Sequence, residues 1–305
     1  MCKENNPLPS VVVEDGQIIG YGATSSVYLL PDGTVCKVFH PEFSFCEIQR
    51  EYLMAESAYR LGIRVPKPGG IVQVENRIGI LSEFIDGECL ADILAKSPEH
   101  YNELFPGYLR ELRRFHEIKA APGDFVSAKD LYLEKIRALY GTDWYSEEEL
   151  RKMELLVQSV PDRDTLIYGD YHPKNILIKN DELFFVDLGD ICIGHPVFDF
   201  AMIANTHFII PTVNPSYAEK YFAVSPKLMI RLWNDLFHRY FCEISLKEQK
   251  AIKREIMAFA ILRQGLSPAD GRVFSERILQ ENVATVRKKL LPEIDSVIGS
   301  INRVV

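Results

Sequence analysis

Between Tyr168 and Asp187 the chain gathers residue types suited to holding a metal ion and moving a proton. The order is Tyr168-Gly169-Asp170-Tyr171-His172-Pro173-Lys174-Asn175, the apolar run Ile176-Leu177-Ile178, the polar turn Asn180-Asp181-Glu182, the apolar run Leu183-Phe184-Phe185-Val186, then Asp187. Two short apolar runs around a polar turn predict a β-hairpin. If the strands pair antiparallel across a three-residue turn, Ile178 opposes Phe184 and Asn175 opposes Asp187. An amide oxygen and a carboxylate then meet at one end of the hairpin. Hard oxygen donors of this kind suit Mg²⁺, which is usually held by one or two carboxylates plus substrate phosphates. Asp170, on the loop leading into that end, is left to orient a hydroxyl and accept its proton. Taken singly, each of the three has a simpler use, because Asp and Asn at strand ends commonly cap turns. Their combination with Gly169, Pro173 and a hairpin is what points to chemistry.

A second constellation lies near the start of the chain. Gly20-Tyr21-Gly22-Ala23-Thr24-Ser25-Ser26-Val27 has the pattern G-x-G-x-x-S-x-V. A dinucleotide fingerprint would lead from a strand into a helix. Here the loop leads from strand to strand, because the turn Pro31-Asp32-Gly33 follows at once. That topology suits a glycine-rich flap over nucleotide phosphates, although a plain hairpin tip would read the same way. No G-K-[ST] follows the glycines, so a Walker A loop is excluded. Lys37 sits mid-strand between Cys36 and Val38. A functional lysine there needs a carboxylate partner, and the next helix offers Glu51 and Glu56, between which periodicity does not choose.

The elements that must position these groups fall into two kinds. Gln17 to Gly20, Ser26 to Leu30 and Thr34 to Phe39 read as strands, and Phe43 to Leu61 as a helix with apolar residues at three- and four-residue steps. Gly62 is placed to end that helix, and Pro66 and Pro68 prevent its continuation. Ile71 to Val74 and Ile78 to Glu83 form a further hairpin across Glu75-Asn76-Arg77. Beyond Asp86-Gly87 the pattern is helical: Gly107 to Lys119, Lys129 to Tyr140, Glu147 to Ser159, Phe198 to His207, Lys227 to Cys242, Leu246 to Gln264 and Glu276 to Lys289. Ile176 to Val186 is the one strand-like island. A strand-rich head before a helix-rich body predicts an α+β chain in two segregated lobes, 1–84 and 85–305, joined near Phe84 to Glu88.

The 305 residues, 47% hydrophobic and 26% charged, suffice for a core in each lobe. The formal charge of -8 gives no basic footprint for nucleic acid and is compatible with a cationic substrate. The six cysteines show no C-x-x-C spacing and read as reduced thiols of a cytoplasmic protein, not as a disulfide frame or a zinc site. Met1 to Ser10 has no apolar signal region, and no apolar run approaches the roughly 18 residues that span a bilayer. No membrane partner is expected.

The motifs resemble the aminoglycoside phosphotransferase/choline kinase superfamily, small-molecule kinases with a protein-kinase-like fold. The residues that carry the resemblance are Tyr168-Gly-Asp170-Tyr-His172-Pro-Lys-Asn175, Val186-Asp187-Leu-Gly-Asp190 and Gly194-His-Pro196-Val-Phe-Asp199, and it extends from about Gly20 to Ala201. It implies a two-lobed enzyme, with an antiparallel sheet and one long helix in the N-lobe and a mostly helical C-lobe. The enzyme would use ATP and Mg²⁺ to phosphorylate a hydroxyl of a small molecule such as an aminoglycoside, a choline-like amino-alcohol or a sugar. It implies Asp170 as catalytic base, Asn175 and Asp187 as Mg²⁺ ligands, and Lys37 on the ATP phosphates with Glu51 orienting it. Gly20, Gly22, Ser25 and Val27 would cover the nucleotide, and the backbone of Glu83 and Ile85 in a hinge at Ser82-Glu83-Phe84-Ile85 would bond adenine. Asp199 would buttress the catalytic loop, or only cap a helix, and Asp190 is either a second metal ligand or a turn cap. His172 reads as loop scaffolding and His116 as a packed or capping residue. Trp144, Tyr171 and Trp233 could cage a quaternary ammonium or simply fill the core. Tyr168 stands where the family often has His, and Ser25 replaces the last loop glycine. A protein kinase is disfavoured, because there is no H-R-D or A-P-E and the stretch from Asp187 to Asp199 is too short for a long activation loop. A nucleotide-binding scaffold without catalysis is the other alternative.

Overall fold

The structure, a computed structural model, describes residues 7–22, 24–121, 123–270 and 274–298. Cys2 and Ala23 of the glycine-rich loop lie outside the described residues. Among these residues the strands are β1 (Gln17–Tyr21), β2 (Ser25–Leu29), β3 (Thr34–Phe39), β4 (Pro68–Val74), β5 (Arg77–Glu83), β6 (Glu88–Cys89), β7 (Leu166–Ile167), β8 (Ile176–Lys179), β9 (Glu182–Phe185) and β10 (Cys192–Ile193). The helices are α1 (Phe45–Arg60), α2 (Leu90–Lys96), α3 (Tyr101–Glu117), α4 (Ala128–Ala138), α5 (Glu147–Gln158), α6 (Val197–Ala204), α7 (Ile210–Val213), α8 (Pro215–Phe222), α9 (Pro226–Tyr240), α10 (Leu246–Gly265), α11 (Ser267–Asp270), α12 (Glu276–Thr285) and α13 (Ile294–Ile298). The chain divides into two compact units, one of residues 1–90 with 175–190, the other of residues 91–174 with 191–305. The expectation drew one boundary after residue 84 and gave the hairpin to the helical part.

The first unit is built on an antiparallel sheet of order β1-β2-β3-β5-β4. Alternation along β3 divides its side chains between two faces. Cys36 and Val38 pack with Val13, Leu30, Val72 and Val74 on one face. Phe39 and Ile80 pack with Ile48 of α1 on the other, and Lys37 shares that face by parity. The α1 boundaries follow from capping. Ser44 and Glu47 form a reciprocal capping box, so the helix starts at Phe45 and not at Phe43. Gly62, with φ of 72°, turns the chain out at its other end. Ser146 with Glu149 and Ser245 with Glu248 start α5 and α10 in the same way.

The β8–β9 hairpin differs from expectation by one register step. Its turn holds two residues, Asn180 and Asp181, both left-handed with φ of 50° and 63°. This arrangement matches the right-handed strand twist and suits Asn and Asp. Glu182 is therefore in the strand, and Ile178 pairs with Leu183, not Phe184. The pairing puts Asn175 opposite Val186, whose amide donates to the Asn175 carbonyl at 3.0 Å, and not opposite Asp187. The hairpin is tied to its unit by Phe185 N–H donating to the Arg64 carbonyl at 2.8 Å and by β8 pairing with β6. Contacts this distant in sequence have no local signal, which is why the sequence pattern left the hairpin with the helices.

The second unit is helical apart from the short β7–β10 pair. α6 packs chiefly against α10, with Phe198, Tyr132 and Phe259 meeting edge to face or tilted. α3 begins at Tyr101, ahead of the expected Gly107, and contains Pro106. α6 ends at Ala204 and continues as one wide turn of π-helix over Asn205–Ile209. Cys36, Cys89, Cys192 and Cys242 are free thiols. Cys46 is disulfide-bonded, which corrects the expectation of reduced thiols throughout; spacing alone does not reveal pairing. Among the described residues no helix is long and apolar enough to cross a membrane.

Candidate active site

In the first unit the cross-strand register brings the nucleotide candidates into one row. Gly20 pairs with Val27, Val27 with Lys37, and Lys37 with Ile80. Directly opposed residues project to the same side of a sheet. The glycine-rich segment forms the expected hairpin, closed by Gly22 N–H donating to the Ser25 carbonyl at 2.8 Å. Ser25 is 2% exposed, and its side chain lies against Thr24 within the turn. Glu83 ends β5 opposite Thr34, and its amide is bonded to the Lys67 carbonyl at 2.9 Å. Ile85 follows, buried, and its carbonyl accepts from Gly87 N–H.

Lys37 Nζ is the hub of this unit. It lies 2.6 Å from Glu51 Oε1 and 2.8 Å from Asp187 Oδ1. The choice between Glu51 and Glu56 is thereby made, since Glu56 instead accepts from Tyr52 Oη at 2.7 Å. Burial works against the Lys37 ammonium, but the Asp187 and Glu51 carboxylates outweigh it and hold its pKa above the ordinary lysine range. Burial pushes the Glu51 carboxyl up, Lys37 pulls it back, and Asp187 and Asp190 push it further up. The two directions agree once the charges are counted, because one ammonium serves several carboxylates and the surplus is negative.

Asp187 reaches Lys37 through an unusual backbone state. Its φ is 61°, in the left-handed region that Asp and Asn tolerate better than most residues. The residue that would continue β9 is turned out of the strand. Gly189 then passes close to α1, where an added Cβ would lie 3.1 Å from Glu51 Oε2. A side chain there would press on the carboxylate that holds Lys37. The motif Asp187-Leu188-Gly189 contained this glycine, but only the approach to Glu51 explains it.

In the second unit Asp170 stands on a loop whose backbone is anchored by Asp199. The Asp199 carboxylate accepts from Gly169 N–H at 2.7 Å and Tyr168 N–H at 2.9 Å, and is fully buried. It caps no helix, because the residue preceding α6 is Pro196 and its end has no side-chain cap. His116 stands 3.0 Å from Asp199 through Nε2 and 2.8 Å from Tyr240 Oη through Nδ1. His116 is therefore part of the support for the loop, a role its apolar neighbours in sequence did not reveal. The buried Asp199 carboxylate serves two amides at once, so Asp199→Ala should lower stability by about 3 kcal/mol, read by denaturant unfolding. A loss within about 0.5 kcal/mol, typical of a surface site, would contradict the anchoring role.

Other aromatic and imidazole groups of this unit form its core. Tyr171 and Trp233 are fully buried, and Tyr171 packs against Tyr108 with ring centres 4.6 Å apart, so neither is open to a ligand cation. His207, in the π-turn, pairs with Tyr108 Oη at 3.0 Å and Thr206 Oγ1 at 2.7 Å. Burial pushes its pKa down to about 3, so it is neutral.

The donor chemistry of the first unit fits Mg²⁺ with phosphates. Glu51 and Asp187 hold their carboxylates beside Lys37, which leaves a local surplus of negative charge there. Among the described residues no group of three or more His, Cys, Asp or Glu is arranged to hold a metal alone. A metal shared with a nucleotide needs no such group.

An antiparallel sheet carrying a Lys–Glu pair, followed by a helical unit with an Asp-bearing loop, defines a kinase-like phosphotransferase fold. The chain belongs to the phosphotransferase enzyme family, whose sequence model matches residues 15–228. No curated protein sequence matches. Among solved structures, the complex of gentamicin with APH(2")-IIa is similar at 17% identity and a TM-score of 0.59, covering 91% of this chain and 92% of that one. The streptomycin–ATP–APH(2")-IIa ternary complex is similar at 17% identity and a TM-score of 0.57, with 91% and 92% covered. A choline/ethanolamine kinase family protein from Mesorhizobium loti is similar at 13% identity and a TM-score of 0.57, with 95% and 92% covered. Their fold is that of small-molecule kinases.

Proposed function

We propose that this chain transfers the γ-phosphoryl group of ATP, with Mg²⁺, to a hydroxyl of a small molecule such as an amino-alcohol, an aminoglycoside or a sugar. The observation that carries the reading is the cluster in which Lys37 meets Glu51 and Asp187. Bound Mg-ATP supplies an electrophilic phosphoryl group whose charge the site must offset. Lys37, held extended by Glu51, contributes positive charge to the phosphates. Asn175 and Asp187 are the ligands for the metal. Gly20, Gly22, Ser25 and Val27 cover the nucleotide, and the Glu83 carbonyl and Ile85 amide bond its base. Asp170 orients the acceptor hydroxyl and takes its proton as the new O–P bond forms and the bond from Pγ to the β,γ-bridging oxygen breaks. ADP leaves with the electron pair of that bond. Two kinds of support favour a small acceptor: gentamicin and streptomycin in the similar structures, and the short stretch from Asp187 to Asp199.

Mg-ATP at 100 times its dissociation constant should stabilise the chain by ~2.7 kcal/mol. Thermal melting should rise by about 5 °C. A screen of amino-alcohols, sugars and aminoglycosides for phosphate acceptance, with Asp170→Asn as the blank, identifies the acceptor class. No melting shift and no ADP release with any acceptor would remove the reading.

A further inference from the structure

We propose that His172 is a positioning residue for phosphoryl transfer: its Nε2–H donates to Asp170 and sets the orientation in which that carboxylate receives the acceptor's proton. The inference rests on the assignment of Asp170 as base and deepens it. His172 Nε2 lies 3.3 Å from Asp170 Oδ2, and the two side chains are 2% and 17% exposed. An ionised carboxylate only accepts hydrogen bonds, so the ring nitrogen facing it carries the proton. His172 Nδ1 is buried with no hydrogen-bond partner among the described residues. A bare lone pair is cheaper to bury there than a second N–H, so the geometry selects the Nε2–H tautomer.

The imidazole is fixed on several sides. Phe222, the last residue of α8, meets it edge to face with ring centres 5.1 Å apart. Pro173 follows directly and narrows the backbone freedom of His172. Upstream, Asp199 holds the Tyr168 and Gly169 amides, so the loop carrying both Asp170 and His172 starts from a fixed point. The nearby His207 has both ring nitrogens engaged by Tyr108 and Thr206. A carboxylate that has to meet a hydroxyl within about 3 Å gains from such a brace, because a misplacement of about 1 Å can cost about 100-fold in rate.

Two variants separate this role from mere filling of space. His172→Leu keeps bulk and removes the donor; His172→Gln keeps an amide N–H at a similar reach. With Mg-ATP as substrate and water or an accepted alcohol as acceptor, His172→Leu should lower kcat about 100-fold. KM for ATP should stay unchanged, and His172→Gln should recover turnover to within about tenfold. Long-range proton–nitrogen NMR of the substrate-free wild type should show the Nε2–H tautomer, with the signal moved in Asp170→Asn. Equal losses in both variants, a changed KM with kcat intact, or the Nδ1–H tautomer would each overturn the proposal. Absence of turnover in the wild type would count against phosphotransfer itself, and the tautomer would still decide whether the His172–Asp170 contact exists.

Discussion

Asp170→Asn is expected to lower phosphoryl transfer by about 10³-fold or more while leaving Mg-ATP affinity within about twofold of wild type. Asn keeps the size of the side chain and can still accept from His172, so the loop should remain in place. It cannot take a proton, and that is the function assigned to this position. The reason for sparing affinity lies in the division of labour. Asp170 belongs to the helical unit, whereas Lys37, Glu51, Asn175 and Asp187 belong to the other. Single-turnover kinetics together with calorimetric nucleotide binding make the measurement. Loss of nucleotide affinity equal to the loss of rate would move Asp170 out of the role of base and into the nucleotide site.

Asp187→Asn should have the opposite signature. The left-handed φ of 61° at this position is one that Asn adopts readily, so the variant removes charge without straining the chain. An Ala there would add backbone strain and confuse the reading. The carboxylate currently faces Lys37 at 2.8 Å and is 51% exposed, so its removal leaves the Lys37–Glu51 pair standing and should affect stability little. The metal-dependent part of nucleotide affinity should fall about 100-fold, the equivalent of ~3 kcal/mol. Titrating ATP with and without Mg²⁺ against both proteins gives the answer. If Mg²⁺ still strengthens ATP binding in the variant as it does in the wild type, Asp187 is not a metal ligand.

Legibility in the sequence varied with the range of the interaction. The hairpin turn at Pro31-Asp32-Gly33, the α1 stop at Gly62 and the strand-rich start are local. Each is set by turn chemistry or periodicity within a few residues, and each is found as read. The α1 start was missed by two residues because the Ser44–Glu47 capping box outranks the apolar pattern that suggested Phe43. The β8–β9 register slipped for a similar reason: Asn180-Asp181 supports a two-residue turn, and counting Glu182 into it moved every pair by one. The meeting of Asn175 and Asp187 as opposed residues failed with it. What turns Asp187 toward Lys37 is its own left-handed backbone, a feature no pairing rule supplies.

The residue types and their order were enough to identify the candidate chemistry, because Asp, Asn, Lys and Glu carry their charges and lone pairs wherever they are placed. Tertiary structure alone decided which of them touch. Lys37 meets Glu51 and not Glu56 because the packing of α1 on the sheet brings Glu51 to it, while Glu56 is engaged by Tyr52. His116 and Asp199, far apart in the chain, became one support for the loop because α3 and α6 bring them within 3.0 Å. Such partnerships depend on the closing of long chain segments, whose cost is met by the packing of the whole unit and leaves no mark on either residue's neighbours in sequence.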